Sequence, residues 1–248
     1  MENRHLQIHK YHQTLKNIAQ ELETLPKGRL KIRQKYLSHV IDGKEVGITQ
    51  NKVLIRQLLR QRFLHELQER INYNLHPKTL VVNLKNTHPK AVISALPKSY
   101  QTLPIHYFYH STIPEWQSRK VKKNPYKPDQ LTYTSKGGTP LRSKSKKIIA
   151  DLLEENLVPY HYEPAMNLDG KIVYPDFVIK APFTGKAILW EHFGALHEEH
   201  YIEKMNEKMQ RYMDHGYTPG ENLIVTFEFD VMAGNRLNQI LESYILNV

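Results

Sequence analysis

The sequence predicts a mixed α/β fold, α+β when the whole chain is taken together, and three observations predict it. Apolar runs of strand length recur at 174–179, 188–192 and 222–227. Segments with apolar residues at helical spacing flank them, at about 143–156 and 198–214. Pro182 and Gly185, the two strongest chain breakers, separate the first two runs and predict an antiparallel hairpin.

Taken in chain order, residues 1–25 form an amphipathic helix with Leu15, Ile18, Leu22 and Leu25 on one face, stopped by Pro26-Lys27-Gly28. Residues 30–48 then alternate irregularly around Asp42-Gly43, a dipeptide that favours a tight hairpin, so a small antiparallel sheet is expected. A second helix over about 50–73 carries Ile55, Leu58, Leu59, Phe63, Leu67 and Ile71. Arg56, Arg60, Arg62 and Arg70 join Glu66 and Glu69 on what reads as a mixed charged face. The preferred reading is a structural helix, and the helix pair also suits self-association as a homodimer or the positioning of a duplex. Between 74 and 116 five X-Pro steps keep any helix short, because each proline removes a donor and restricts the residue before it. The whole of 1–116 reads as an N-terminal helical module with a small β hairpin.

Net charge is +10, from 35 Lys+Arg against 25 Asp+Glu. Nearly all of the excess lies between 117 and 147. Arg119, Lys120, Lys122, Lys123, Lys127, Lys136, Arg142, Lys144, Lys146 and Lys147 face a single acid there, Asp129. Such a stretch attracts phosphate without reading sequence and makes binding salt-dependent. Its prolines and Gly137-Gly138 keep it extended, with Tyr126 and Tyr133 free to stack or pack. Residues 117–141 read as a basic linker; DNA contact and an acidic protein partner both explain its charge.

Two carboxylates stand out in the strand-like runs: Asp176 in Tyr174-Pro175-Asp176-Phe177-Val178-Ile179 and Glu191 in Ile188-Leu189-Trp190-Glu191-His192. A charge among buried apolar neighbours costs several kcal/mol, roughly, unless a polar partner or a cation compensates it. Folding the chain about Pro182 and Phe183 sets Asp176 opposite Leu189 or Trp190, with Glu191 its diagonal neighbour. That spacing suits a shared hard cation such as Mg²⁺ or Mn²⁺.

The element order around this pair resembles the core of the PD-(D/E)XK nuclease superfamily, which has a restriction-endonuclease-like fold. A helix leads to a strand ending Tyr162-Glu163-Pro164, a second strand carries Pro175-Asp176, a third carries Glu191, and a helix and a buried strand follow. More narrowly, Arg142-Ser143-Lys144-Ser145, Pro175-Asp176-Phe177 and Trp190-Glu191-His192-Phe193-Gly194 resemble a group of uncharacterised bacterial members. The resemblance implies a restriction-endonuclease-like core over 142–248, with a central mixed sheet flanked by helices. It also implies a metal-dependent endonuclease, a hydrolase of DNA phosphodiesters, with Asp176 and Glu191 as ligands of Mg²⁺ or Mn²⁺.

The chain departs from that family at two places. The family lysine two residues beyond the acid is replaced by Phe193, which donates no hydrogen bond. Lys208 is the substitute on the next helix, sharing a stripe with Tyr201, Met205 and Tyr212; Lys204 is second choice. Where related sequences have a glutamate on the first helix this chain has Lys146. It either pairs with Asp176 or Glu191 and opposes metal, or touches a DNA phosphate, or is solvated. Glu163 is a further candidate ligand if its strand aims it inward. His192, adjacent to Glu191, points to the opposite face of a regular strand and suits packing better than catalysis. DNA binding through Arg119, Lys120, Lys122, Lys123, Lys127, Lys136, Arg142, Lys144 and Lys147 completes this reading. A catalytically inactive nucleic-acid-binding protein and a protein-interaction factor are the alternatives.

Composition bounds these readings. With 248 residues, 40% hydrophobic, the chain can form two compact units; mean hydropathy is −0.58 and no run approaches a membrane span. Zero cysteines removes disulfides and thiol catalysis and fits a cytoplasmic location. No Cys/His zinc pattern is present; His197 and His200 fall on one helical turn but read as surface residues.

Overall fold

The computed structural model describes residues 2–34, 36–76, 84–194 and 199–247. His197 and the expected start of the second core helix at 198 lie outside these residues. The chain divides into two compact units, 1–111 and 112–247. No described helix is long and apolar enough to cross a membrane.

In the first unit α1 (Glu2–Thr24) is followed by an antiparallel sheet of β1 (Arg29–Arg33), β2 (Tyr36–Ile41) and β3 (Lys44–Gly47). Asp42 and Gly43 make its tight turn with φ of 48° and 76°, the two positive values that a twist-matched two-residue hairpin requires. Next comes α2 (Lys52–Leu75), capped by Asn51, whose Oδ1 accepts from the Leu54 N–H at 3.0 Å. Its stripe Ile55, Leu58, Leu59, Phe63, Leu67 and Ile71 is buried as the spacing predicts. Among its described residues the proline-rich stretch yields only short helices, among them α3 (Leu84–Thr87), α4 (Pro89–Ala95) and α5 (Lys98–Gln101).

Arg60 corrects the reading of α2 as carrying all its arginines on a charged face. It is buried, donating from Nε and Nη2 to Glu21 at 3.1 and 2.8 Å and from Nη1 to the Phe108 carbonyl at 3.0 Å. Glu21, on α1, also accepts from the Ser111 N–H at 3.0 Å. Every polar arm of the pair is used, which is the condition under which burying an ion pair is tolerated.

In the second unit α6 (Ile113–Ser118) leads into the basic segment. Residues 117–141 belong to this unit, where Tyr133–Thr134 (β4) pairs with Pro140–Leu141 (β5), and Lys123 bridges to Pro164. α7 (Lys144–Glu155) opens on Ser143, whose hydroxyl accepts from the Lys146 N–H at 3.2 Å. A four-stranded mixed sheet follows. It is built from β6 (Tyr160–Tyr162), β9 (Phe177–Lys180), β10 (Ala187–Phe193) and β11 (Leu223–Phe227) in the order β11-β10-β9-β6, with β10 and β11 parallel and the other pairs antiparallel. Between β6 and β9 an unexpected hairpin, β7 (Met166–Leu168) and β8 (Lys171–Val173), turns at Asp169-Gly170 with φ of 48° and 83°.

The hairpin register differs from the expected one. Phe177, not Asp176, lies opposite Trp190, because Ala181 donates to the Lys186 carbonyl and the turn holds four residues rather than two. The next residues outward are Asp176 and Glu191, which places them abreast. Two apolar layers enclose the sheet. Ile188, Trp190, Phe177 and Ile179 pack with Ile149, Ala150 and Leu153 of α7 and with Leu237, Ile240 and Leu241 of α10 (Arg236–Tyr244), which follows the short α9 (Glu228–Met232). Leu189 and Leu223 pack instead with Tyr212 of α8 (Glu199–Asp214). The alternation of β10 thus aims Trp190 at one helical layer and Glu191 at the other.

Glu21→Ala leaves the Arg60 guanidinium buried without its counter-charge, and we expect it to destabilise the first unit by about 3–5 kcal/mol. Urea unfolding of the full chain checks this, and Lys31→Ala, which breaks only an exposed pair with Glu45, serves as the control with a loss of about 0–1 kcal/mol.

Candidate active site

The site lies at the end of the sheet where β9 begins and β10 approaches its last residues. Asp176 and Glu191 are both buried, 5% and 1% exposed. Asp176 Oδ1 accepts from Lys146 Nζ at 2.5 Å, and Oδ2 accepts from the His192 backbone N–H at 2.9 Å. Glu191 Oε2 accepts from Lys208 Nζ at 2.8 Å, and Oε1 from the Tyr212 hydroxyl at 2.6 Å. Lys208 also donates to the Tyr174 carbonyl at 3.1 Å. The two ammonium groups therefore come from opposite layers, Lys146 from the first turn of α7 and Lys208 from α8.

Lys208 sits where the stripe through Tyr212 places it, three-quarters of its side chain covered and its ammonium on Glu191. Lys204 is exposed. Phe193 is buried in an aromatic group with Tyr201 and Phe227, each ring centre 6.3 Å away. Lys146 takes the first of the arrangements open to it, pairing with Asp176.

Glu163 is turned inward beside this pair. Both its oxygens accept from Arg142 Nε at 2.9 Å, Oε1 also accepts from the Tyr162 hydroxyl at 3.1 Å, and Lys146 Nζ stands 4.0 Å from Oε1. Its φ of 42° is left-handed, a conformation that costs a residue with a side chain about 1–2 kcal/mol. Surrounding bonds hold it there: its N–H donates to the Asp176 carbonyl and its own carbonyl accepts from the Asn124 N–H, both at 3.0 Å.

Arg142 does not face solvent as a free phosphate contact. Besides Glu163 it donates to the carbonyls of Lys127, at 2.8 Å, and Tyr126. The basic stretch 122–127 is thereby fastened along the edge of the site, an attachment extended by Ala165 donating to the Lys122 carbonyl at 2.6 Å. Of the other basic candidates, Arg119 pairs with Glu115, Lys136 with Glu155 and Lys147 with Asp151. Lys120, Lys122, Lys123, Lys127 and Lys144 are exposed and form no ion pair among the described residues. Tyr126 is 60% exposed, with Lys127 Nζ 5.3 Å from its ring centre.

His192 lies on the Trp190 side of the strand, opposite to Glu191, and its ring meets Thr226 Oγ1 (Nδ1, 3.2 Å) and Glu228 Oε2 (Nε2, 3.2 Å). Trp190 Nε1 donates to the same Thr226 hydroxyl at 2.9 Å. Trp190 Nε1, Thr226 Oγ1 and both His192 ring nitrogens each have a hydrogen-bond partner, and Thr226 Oγ1 also lies 3.4 Å from the Glu191 carbonyl. Ser145 adds its hydroxyl to Glu228 at 2.8 Å. Ser145 belongs to the Arg142-Ser143-Lys144-Ser145 motif but had no role assigned to it, and Glu228 had no motif to mark it; its only signal is a charged residue directly after an apolar strand.

Electrostatics separates the two central carboxylates. Burial opposes the Asp176 charge, but the Lys146 and Lys208 ammonium groups and the hydrogen bonds from Lys146 and His192 outweigh it and hold its pKa below the ordinary value. Burial pushes Glu191 upward; Lys208 works against this and the Asp176 charge adds to it. Lys146 is raised despite burial by attraction to Asp176, so it stays charged. Burial and the Glu191 charge raise the Tyr212 phenol, which stays a donor. Burial lowers His192, so its imidazole is neutral near pH 7.

All the convergent ligand atoms are oxygens, which suits a hard cation. Among the described residues no group of three or more His, Asp or Glu side chains is gathered for a metal. The four oxygens of Asp176 and Glu191 are taken by Lys146, the His192 N–H, Lys208 and Tyr212, and two carboxylates are too few for an all-protein cage. Comparison of the chain with protein-family models, with curated proteins and with solved structures gives no match to any of them.

Because the folded-state pKa of Asp176 is depressed, its contribution to stability is complete above the ordinary 3.8 and is lost as pH falls through the lower folded value. Asp176→Asn removes that contribution. Thermal unfolding from about pH 5 down to about pH 2 is expected to show a shallower acid-side decline in the variant than in the wild-type chain.

Proposed function

We propose that the second unit is a metal-dependent phosphodiesterase acting on DNA, endonucleolytic in mode, built on a restriction-endonuclease-like core. The observation that carries this reading is the convergence of Asp176, Glu191 and Lys208 at one sheet end, with Lys208 Nζ 2.8 Å from Glu191. Support for the core comes from the order α7, β6, β9, β10, α8, β11, in which only the β7–β8 hairpin interrupts the expected series.

In this reading Asp176 and Glu191 hold Mg²⁺ or Mn²⁺. The ion, when bound, lowers the pKa of a water molecule and offsets charge on the scissile phosphate. Lys208 orients the attacking group or stabilises the developing anion. Tyr212 keeps the Glu191 carboxylate in one rotamer. The exposed lysines of 120–127 and Lys144 contact backbone phosphates, and Tyr126 offers a face for a base or sugar. DNA is the partner, and no sequence reading is implied.

A second reading, a catalytically inactive nucleic-acid-binding protein, is favoured by one observation: Lys146 Nζ occupies an Asp176 oxygen at 2.5 Å. Plasmid nicking with Mg²⁺ or Mn²⁺ separates the two. We expect cleavage that Asp176→Ala abolishes and Lys208→Ala lowers by about 10²–10³-fold. Protein that shifts DNA yet never cuts it with either ion sinks the enzyme and leaves the binder.

Binding is expected to weaken as salt rises. Replacing Lys122, Lys123 and Lys127 with alanine reduces the slope of log affinity against log salt by about 0.9 for each duplex phosphate that is no longer neutralised. Fluorescence anisotropy over a salt series measures it.

A further inference from the structure

We propose that Lys146 is a tethered counter-ion, so that the carboxylate site takes up a divalent cation together with a nucleic-acid phosphate rather than before it. The proposal rests on the nuclease reading of the site and adds the order in which its charges assemble.

Three carboxylates and three cationic side chains meet here. Asp176 pairs with Lys146 at 2.5 Å, Glu191 with Lys208 at 2.8 Å, and Glu163 with Arg142 at 2.9 Å. Formal charge is balanced without any ion. A dication entering alone has to displace an ammonium from Asp176 and then stand beside it, in surroundings that screen charge poorly. Affinity for the metal by itself is therefore low.

A phosphodiester changes both terms. It brings negative charge, and it gives the displaced ammonium a new partner. Lys146 is placed for that exchange: it rises from the first turn of α7, its side chain is 17% exposed, and its flexible stem lets the ammonium leave Asp176 without moving the helix. The path of the nucleic acid leads to it as well. The backbone that carries the exposed lysines of 122–127 is fastened to Glu163, through the Asn124 N–H and through Arg142. Glu163 Oε1 lies 4.0 Å from Lys146 Nζ, so a strand held by those lysines is brought near the exchange point. Phosphate then holds Lys146, and Asp176 is released to the cation. Metal and DNA stabilise each other's binding by one and the same factor, as linkage requires.

The test uses the full chain, Mn²⁺, and a phosphorothioate-backbone duplex that resists cleavage. Calorimetric titration should show Mn²⁺ binding at least about tenfold tighter with saturating duplex than without. Anisotropy should show Mn²⁺ tightening duplex binding by the same factor. In Lys146→Met, Mn²⁺ binds the free protein more tightly than it binds the free wild type, and the duplex-dependent factor falls to about threefold or less. Lys146→Gln, which keeps a polar head, is the second variant should the methionine form fold poorly, and circular dichroism checks both. Equal Mn²⁺ affinity with and without duplex, in a chain that does hold the duplex, overturns the coupling and leaves the nuclease reading standing. Failure to hold the duplex at low salt, with or without Mn²⁺, overturns both.

Discussion

The ion pair between Lys146 and Asp176 is the contact on which the second unit's site depends. An ionised carboxylate taken out of water costs several kcal/mol, roughly, even after relaxation, and here two such groups sit abreast on neighbouring strands. Neither could remain charged on the strength of the sheet alone. Compensation arrives from both helical layers, Lys146 over the end of α7 and Lys208 together with Tyr212 from α8. The site is the place where three layers of structure reach the same few oxygen atoms.

That constraint extends outward through Glu163. Its left-handed backbone would be unfavourable in isolation, yet it is tied to Asp176 on one side and Asn124 on the other, while its carboxylate anchors Arg142. Arg142 in turn grips the carbonyls of Tyr126 and Lys127. The basic stretch is consequently held against the site rather than free in solvent, and local strain accompanies the positioning of charge, as is common where function requires a set geometry. Balanced charge also bears on both functional readings, since Lys146 holds an Asp176 oxygen that the nuclease reading assigns to a cation.

Much of this was legible beforehand. Asp176 and Glu191 could be singled out because each interrupts an apolar run, and such an interruption needs a cause. Lys208 was legible from its stripe on α8, and the Asp42-Gly43 turn from the positive φ values that only such residues accept readily. Other features left no local trace. Arg60 has the same sequence surroundings as its exposed neighbours on α2, and only Glu21, 39 positions away, explains its burial. The hairpin at Asp169-Gly170 carried the right dipeptide but strands of three residues, too short for alternation to register. The difference of one or two residues in the β9–β10 register followed from hydrogen bonding inside the turn.

The sequence by itself therefore determined the alternation of strands and helices, the buried carboxylates and the placing of nearly all the excess charge in one stretch. These are properties of neighbouring residues, set by side-chain period, turn chemistry and the cost of burying charge. Tertiary structure alone decided which cation answers which carboxylate. Lys146 had several partners open to it, and the choice of Asp176 depends on the end of α7 meeting the first residues of β9, a contact between residues 30 positions apart. It also decided that Arg142 serves Glu163 and the basic arm instead of solvent. Coulomb attraction acts through space rather than along the chain, so its outcome was open until the layers had packed.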